Sequence, residues 1–158
     1  VSETQFLQQV RQNQGIVYKL VSLYAANEED KKDMYQEVLL QAWKAWPRFR
    51  GDAKFSTWLY RVCLNTLLTH TRANNRIEYK ESLDGISHTV ENNSIKAQEA
   101  QRLQLAIRQL AETDRALISL HLDGYENGEI ADILGISNNN VAVKLHRIKQ
   151  QLANLLKH

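Results

Sequence analysis

An all-α fold of two small helical domains joined by a flexible linker is expected from three features of this 158-residue chain. Apolar residues recur every three or four positions through most of its length, the spacing of one face of a helix, while alternating β-branched runs are few. A single proline and six glycines leave little to interrupt helices. Between Ile77 and Ser94 the periodicity vanishes. Glycine, serine and asparagine take over there, together with Glu78, Glu81, Asp84 and Glu91, which is the composition of a linker. The expected division is residues 1–76 and residues 96–158, with the linker over 77–95.

In chain order, Ser2 with Gln5 reads as a capping box opening a first helix. Phe6, Leu7 and Val10 form its apolar face, and Ile16, Val17, Leu20, Val21 and Tyr24 continue the pattern past Gly15. Asn27 to Asp30 is a polar break, and Asp30 or a neighbour caps the long helix that follows. That helix carries Met34, Val38, Ala42 and Ala45 on one side, with Tyr35, Leu39, Trp43 and Trp46 beside them. Asp33, Gln36, Glu37 and Gln41 make a polar face fit to meet a partner. Pro47 ends the helix, because the residue before a proline avoids helical geometry.

Residues 48–54 form an arginine-bearing loop with an exposed aromatic, Phe49, and Ser56 is expected to cap the next helix. Trp58, Leu59, Val62, Cys63 and Leu67 bury its inner side, leaving Arg61, Asn65, Arg72 and Arg76 to project. From Arg48 to Lys80 there are seven lysines or arginines against two acids. Aromatic rings interleaved with cations suit single-stranded nucleic acid, whose bases stack while its phosphates follow the charge. Each aromatic also has a core reading, favoured two to one for Trp58 and evenly balanced for Phe49.

Periodicity resumes with Ile95, Leu103, Leu105, Ile107 and Leu110, and a helix over 114–122 packs Ala116, Leu117 and Leu120 before stopping at Gly124. The stretch 127–149 reads as a helix-turn-helix. Asn127 caps a first helix with Glu129 in its first turn and Ile130, Ile133 and Leu134 on its inner face. Gly135 stops that helix, Ile136 plugs the turn, and Ser137 caps a second helix striped by Val141, Leu145, Ile148 and Leu152. From Ile133 onward Lys144, Arg147, Lys149 and Lys157 meet no acid, which suits a groove lined by phosphates.

Net charge is only +2, so the basic signal is local. One cysteine rules out an internal disulfide and fits a reducing cytoplasm. The five histidines have no metal-ligand spacing, no catalytic constellation stands at usable spacing, and no apolar run is long enough for a bilayer. Neither an enzyme, a metal, a cofactor nor a small-molecule substrate is expected.

Taken together, residues 33–66 (DMYQEVLLQAWKAWPRFRGDAKFSTWLYRVCLNT), residues 110–137 and VAVKLHRIK resemble the extracytoplasmic-function (ECF) sigma factors of the sigma-70 superfamily, which keep only regions 2 and 4. The resemblance implies region 2 over 1–76 and region 4 over 96–158. It implies that Asp33, Gln36, Glu37 and Gln41 dock on the β′ clamp helices of core RNA polymerase, with the β flap as a second contact. Phe49, Arg50, Gly51, Asp52 and Ala53 would match the loop that holds a flipped −10 base, supported by Trp58, Arg61, Asn65 and Arg76. Ser137, Asn138, Asn139, Asn140, Lys144, His146, Arg147 and Lys149 would meet the −35 element. An anti-sigma factor and promoter DNA are the further partners implied.

The chain departs from the family pattern at two places. Many relatives carry Thr-Val-Lys-Ser-Arg where this chain has Asn140-Val141-Ala142-Val143-Lys144, so Ala142 and Val143 offer only apolar contact, for example to thymine methyls. Ala111 replaces the usual proline. The competing reading is an autonomous helix-turn-helix regulator with the first domain as a dimerisation or sensor module. It would need a two-fold dimer, and no heptad seam is present to make one.

Overall fold

The computed structural model describes residues 3–78 and 95–157, except for the side chains of 73–78. All regular structure among the described residues is helical, and the helices fall into two compact units. The first holds α1 (Glu3–Gln12), α2 (Gln14–Tyr24), α3 (Glu28–Ala45) and α4 (Phe55–Glu78). The second holds α5 (Ile95–Arg108), α6 (Glu112–Leu122), α7 (Asn127–Leu134) and α8 (Asn138–Leu156).

In the first unit the break between α1 and α2 falls at Asn13, ahead of Gly15, which lies inside α2. The Asn13 side-chain amide donates to the Gln9 carbonyl at 2.8 Å and so supplies a local alternative to the helical ladder. Phe6 and Val10 are buried, whereas Leu7, expected on the same face, is exposed. The Ser2 half of the expected capping box lies outside the described residues. Asn27, the neighbour of Asp30, caps α3: its side-chain oxygen accepts from the Asp30 N–H at 2.8 Å, and the Asp30 carboxylate accepts from the Ala26 N–H at 2.9 Å. Glu28, Glu29 and Asp30 add acids to the first turn, where the helix dipole favours them. Met34, Val38 and Ala42 are buried as expected.

Pro47 converts the end of α3 into one 3₁₀ turn, Trp46–Arg48. Helix α4 then begins at Phe55, with the Trp58 N–H bonded to the Lys54 carbonyl at 3.0 Å. Ser56 therefore sits in the first turn rather than at the cap. The helix continues through Ile77 and Glu78, residues whose composition reads as linker. Trp46, at the end of α3, meets Trp58 near the start of α4, while Glu37 and Gln41 share a cleft with Asn65, Thr69 and His70. The two helices consequently pack antiparallel, with α2 against both. Leu59, Cys63 and Leu67 have no accessible surface; Tyr60 and Leu64 join them in the core, although their spacing placed them on no expected stripe.

In the second unit α6 begins at Glu112, two residues ahead of the expected start, because its first turn forms without a capping side chain: the Arg115 N–H reaches the Ala111 carbonyl at 3.0 Å. Ala116, Leu117, Ile118, Ser119 and Leu120 are all buried, so α6 is surrounded rather than striped. Only the C-terminal part of α5 enters the core, through Ala106, Ile107 and then Leu110. Ile95 is 73% exposed and Leu105 39%, against the expectation that both would pack. Arg102 of α5 donates to the Leu156 carbonyl at 2.8 Å and satisfies one of the open carbonyls at the end of α8. Arg108 is half-buried, and desolvation followed by the like charge of Arg115 pulls its pKa below the ordinary guanidinium value.

Leu59→Ala should destabilise the first unit by about 2–5 kcal/mol, and Asn27→Ala by about 1 kcal/mol. Urea unfolding followed by tryptophan fluorescence measures both, because Trp43, Trp46 and Trp58 all belong to this unit. Equal costs for the two variants would contradict the complete burial of Leu59.

Candidate nucleic-acid interface

The turn between α7 and α8 is built from a short run of local bonds. Glu126, not Asn127, is the N-cap of α7, since the Glu129 carboxylate reaches back to accept from the Glu126 N–H at 3.0 Å. That places Asn127 inside the first turn. Gly135 adopts φ 72° and ψ 32°, a left-handed conformation that costs glycine nothing, and the N–H groups of both Gly135 and Ile136 bond the Ala131 carbonyl. The Ser137 hydroxyl then accepts from the Asn140 N–H at 3.1 Å and starts α8.

These bonds set the rotation of α8. Val141, Leu145, Ile148 and Leu152 are buried, and Asn138, Asn139, Asn140, Ala142, Val143, His146, Arg147 and Lys149 are exposed. Ser137 is exposed at the same end. Lys144 is half-buried. Together with Arg147 and Gln151 it borders a cleft of about 230 Å³ whose opposite wall is Thr113 and Asp114 at the start of α6. The contribution of α6 to this basic edge has no sequence signal, because the two segments lie far apart in the chain.

In the first unit, the loop 50–53 is exposed throughout, with Gly51 at φ +79°. Phe49, expected to be exposed, is half-buried instead: it stacks on Trp46 with centroids 5.3 Å apart and planes 15° apart. Trp58 lies 5.3 Å from it and Phe55 5.9 Å, so Trp58 is half-buried in the same ring cluster. Aromatic pairs gain from offset stacking and edge contacts, and the loop residue nearest this cluster is drawn into it. Arg61 and Asn65 project from α4 as expected; the Arg76 side chain lies outside the described residues.

The polar face of α3 is divided between two clefts. Glu37 and Gln41, joined by a 2.8 Å hydrogen bond from the Gln41 amide to the Glu37 carboxylate, border a cleft of about 400 Å³ with Asn65, Thr66, Thr69 and His70. Gln36 borders another, of about 430 Å³, with Lys31, Lys32 and the stacked pair Tyr18 and Tyr35. Burial, and then the bond and charge of Tyr18, raise the Tyr35 pKa. Asp33 is exposed. Cys63 has no accessible surface, and burial pushes its thiol far above the ordinary value. Among the described residues no acid, histidine and cysteine cluster could hold a metal ion, and no helix is long and apolar enough to cross a membrane.

Comparison with known proteins assigns both units. Residues 9–77 match the family described as Sigma-70 region 2, and residues 100–152 match Sigma-70, region 4. The ECF RNA polymerase sigma-E factor of Escherichia coli K12 is 30% identical over 152 residues, covering 87% of this chain and 79% of that protein. The chain belongs to the ECF RNA polymerase sigma factors.

The ECF RNA polymerase sigma factor SigM of Mycobacterium tuberculosis is 27% identical over 152 residues, covering 96% of this chain and 76% of that protein. The sigma factor RpoE of Bartonella quintana, solved in complex with the anti-sigma factor NepR, has a TM-score of 0.75 at 20% identity, with 97% of each chain covered. CnrH, solved with the cytosolic domain of CnrY, has a TM-score of 0.69 at 23% identity, covering 99% of this chain and 90% of its own. These two likenesses establish the fold. This ECF sigma factor thus carries its helix-turn-helix within region 4, and its ring cluster and α3–α4 cleft within region 2.

The native Cys63 thiol should resist an aromatic disulfide reagent at about pH 8, and react only when the first unit unfolds, because the thiolate is the reactive form. With the folded pKa raised, the neutral thiol's contribution to stability is complete below the unfolded value and is lost as pH rises above it. Stability should therefore fall above about pH 9. Rapid labelling of the folded chain would contradict the burial of α4's inner face.

Proposed function

We propose that this ECF sigma factor binds core RNA polymerase in the cytoplasm and directs it to promoters by reading a −35 element with α8 and a −10 element with the loop 49–53 and α4. The observation that carries this reading is the division of α8 into a buried stripe and an exposed surface that holds the three asparagines of its first turn, His146 and Arg147 but no acid. Such a helix enters a major groove without repelling phosphates, and its amides supply the donor and acceptor pairs that base edges require.

Asp33, Gln36, Glu37 and Gln41 of α3 would dock on the β′ clamp helices, and the second unit on the β flap. Arg50, Gly51, Asp52 and Ala53 would hold an unstacked −10 base, with Asn65 beside it and Trp58 supporting the loop. Arg61 and Arg76 would hold backbone phosphates. A base captured out of the stack offsets part of the cost of opening the duplex. In region 4, Ser137, Asn138, Asn139, Asn140, His146 and Arg147 would face bases, while Lys144 and Lys149 would meet phosphates. The capture of a Bartonella quintana sigma factor by an anti-sigma factor supports a partner of that kind here.

Run-off transcription from fragmented genomic DNA, with core polymerase present and this chain present or omitted, tests the reading. Start sites that depend on the chain are expected, and Asn65→Ala should lose selectivity at the downstream element. Tight, specific binding of the chain alone to duplex sites, without polymerase-dependent starts, would overturn it in favour of an autonomous regulator.

Val143, 49% exposed on the outer face of α8, has only methyl groups to offer, and the thymine 5-methyl is the apolar feature of the major groove. Val143→Ser should weaken discrimination for thymine at one −35 position by about threefold to fivefold, in line with the loss of about one buried methyl. Replacing that thymine by uracil, which lacks the methyl, should reproduce the loss for the unaltered chain. An undiminished thymine preference in the variant would exclude the contact.

A further inference from the structure

Trp46 lies at the centre of the ring cluster that closes α3 onto α4. Its centroid is 5.4 Å from Phe6, 5.3 Å from Phe49, 5.8 Å from Phe55 and 6.0 Å from Trp58. The contacts with Phe6, Phe55 and Trp58 are tilted or edge-on; the one with Phe49 is near-parallel, at 15°. Phe49 is also the residue whose N–H bonds the Trp46 carbonyl, at 2.9 Å. Trp46 therefore holds Phe49 by backbone and by ring. Immediately beyond Phe49 the chain enters the exposed loop 50–53 with its positive φ at Gly51.

Trp46 itself is 6% exposed, and its indole N–H meets no acceptor. Burying an indole without satisfying its donor gives up a hydrogen bond made with water, so packing, four ring contacts included, fixes this side chain and no side-chain hydrogen bond does. One face of Phe49 is covered by Trp46, and Phe55 and Trp58 lie against the same ring in T-shaped and tilted arrangements. A ring so enclosed is an anchor for the loop more than a platform for a base.

We propose that Trp46 is a positioning residue for base selection by the loop 50–53, acting through the stacked ring of Phe49. The inference rests on the functional reading that this loop holds a −10 base. A loop tethered at its entry by a stacked ring presents its remaining groups in one arrangement. Without the stack, the same groups sample several arrangements, and the difference between right and wrong bases shrinks while the average attraction to DNA survives.

The test uses the full chain with core RNA polymerase on four templates that differ only at the selected −10 base. Initiation rates are measured for the unaltered chain, Trp46→Phe and Trp46→Leu, and the affinity of each for core polymerase is measured in the same preparations. Trp46→Leu removes the ring and should lower the ratio of best to worst base by about tenfold, with polymerase affinity unchanged. Trp46→Phe keeps a smaller ring and drops the unpaired donor, and should lower the ratio by about twofold.

A residue that only stabilises the fold would reduce the active fraction equally on all four templates. An unchanged ratio in Trp46→Leu, with or without a uniform loss of rate, overturns the inference. If Trp46→Leu does not fold, a Trp46→Phe ratio equal to that of the unaltered chain overturns it. Absence of any chain-dependent initiation by the unaltered protein overturns the functional reading and this inference with it, whereas selective initiation that ignores Trp46 overturns this inference alone.

Discussion

Val38 and Ala42 of α3, and Leu59 and Cys63 of α4, retain no accessible surface, and the antiparallel packing they support places the functional parts of region 2. At one end of the pair the chain must turn from α3 into α4, and the rings of Trp46, Phe49, Phe55 and Trp58 gather there beneath the exposed loop. Two turns further along α4, the polar edges of the two helices meet, bringing Glu37 and Gln41 to the same cleft as Asn65. A slip of one residue between the helices would swing the polar edge by about 100° and scatter the cleft. Recognition by the loop, as proposed above, would draw on the packed scaffold beneath it.

Region 4 depends on a different constraint, the rotation of α8 about its own axis. Gly135 turns the chain, Ser137 opens the helix, and the buried stripe from Val141 to Leu152 locks the rotation. Everything on the opposite face follows, including the exposed Asn139 and Val143. Buried α6 and the bond from Arg102 to the end of α8 hold α8 from its inner side and its far end. Short helices of this kind have little stability alone, so their exposed faces are ordered only because their inner faces are packed.

Several expectations failed for related physical reasons. Ser56 and Asn127 have good capping side chains, yet α4 begins at Phe55 and α7 is capped by Glu126, because the chain enters its first turn two residues sooner in α4 and one residue sooner in α7. In the second case Glu129 supplied the reciprocal bond, a cue present in the sequence that the more familiar cap at Asn127 obscured. Leu7, Ile95 and Leu105 fit helical stripes but are exposed, since a stripe is buried only as far as a neighbouring helix extends over it. Conversely, Tyr60, Leu64 and the whole of Ala116 to Leu120 are buried because α4 and α6 have neighbours on more than one side.

The sequence by itself determined the helical class, the helix-turn-helix with its glycine stop and serine cap, the buried stripe of α8, and the family. Those depend on local spacing, capping chemistry and residue order, which act within a few positions of the chain. Only the tertiary structure decided that Phe49 is an anchored ring, that Glu37 and Gln41 share a cleft with Asn65, and that Lys144 borders the same cleft as Asp114 of α6. Each of these joins residues on different helices, and the packing of the helices' apolar faces, not any local preference, sets which polar residues meet.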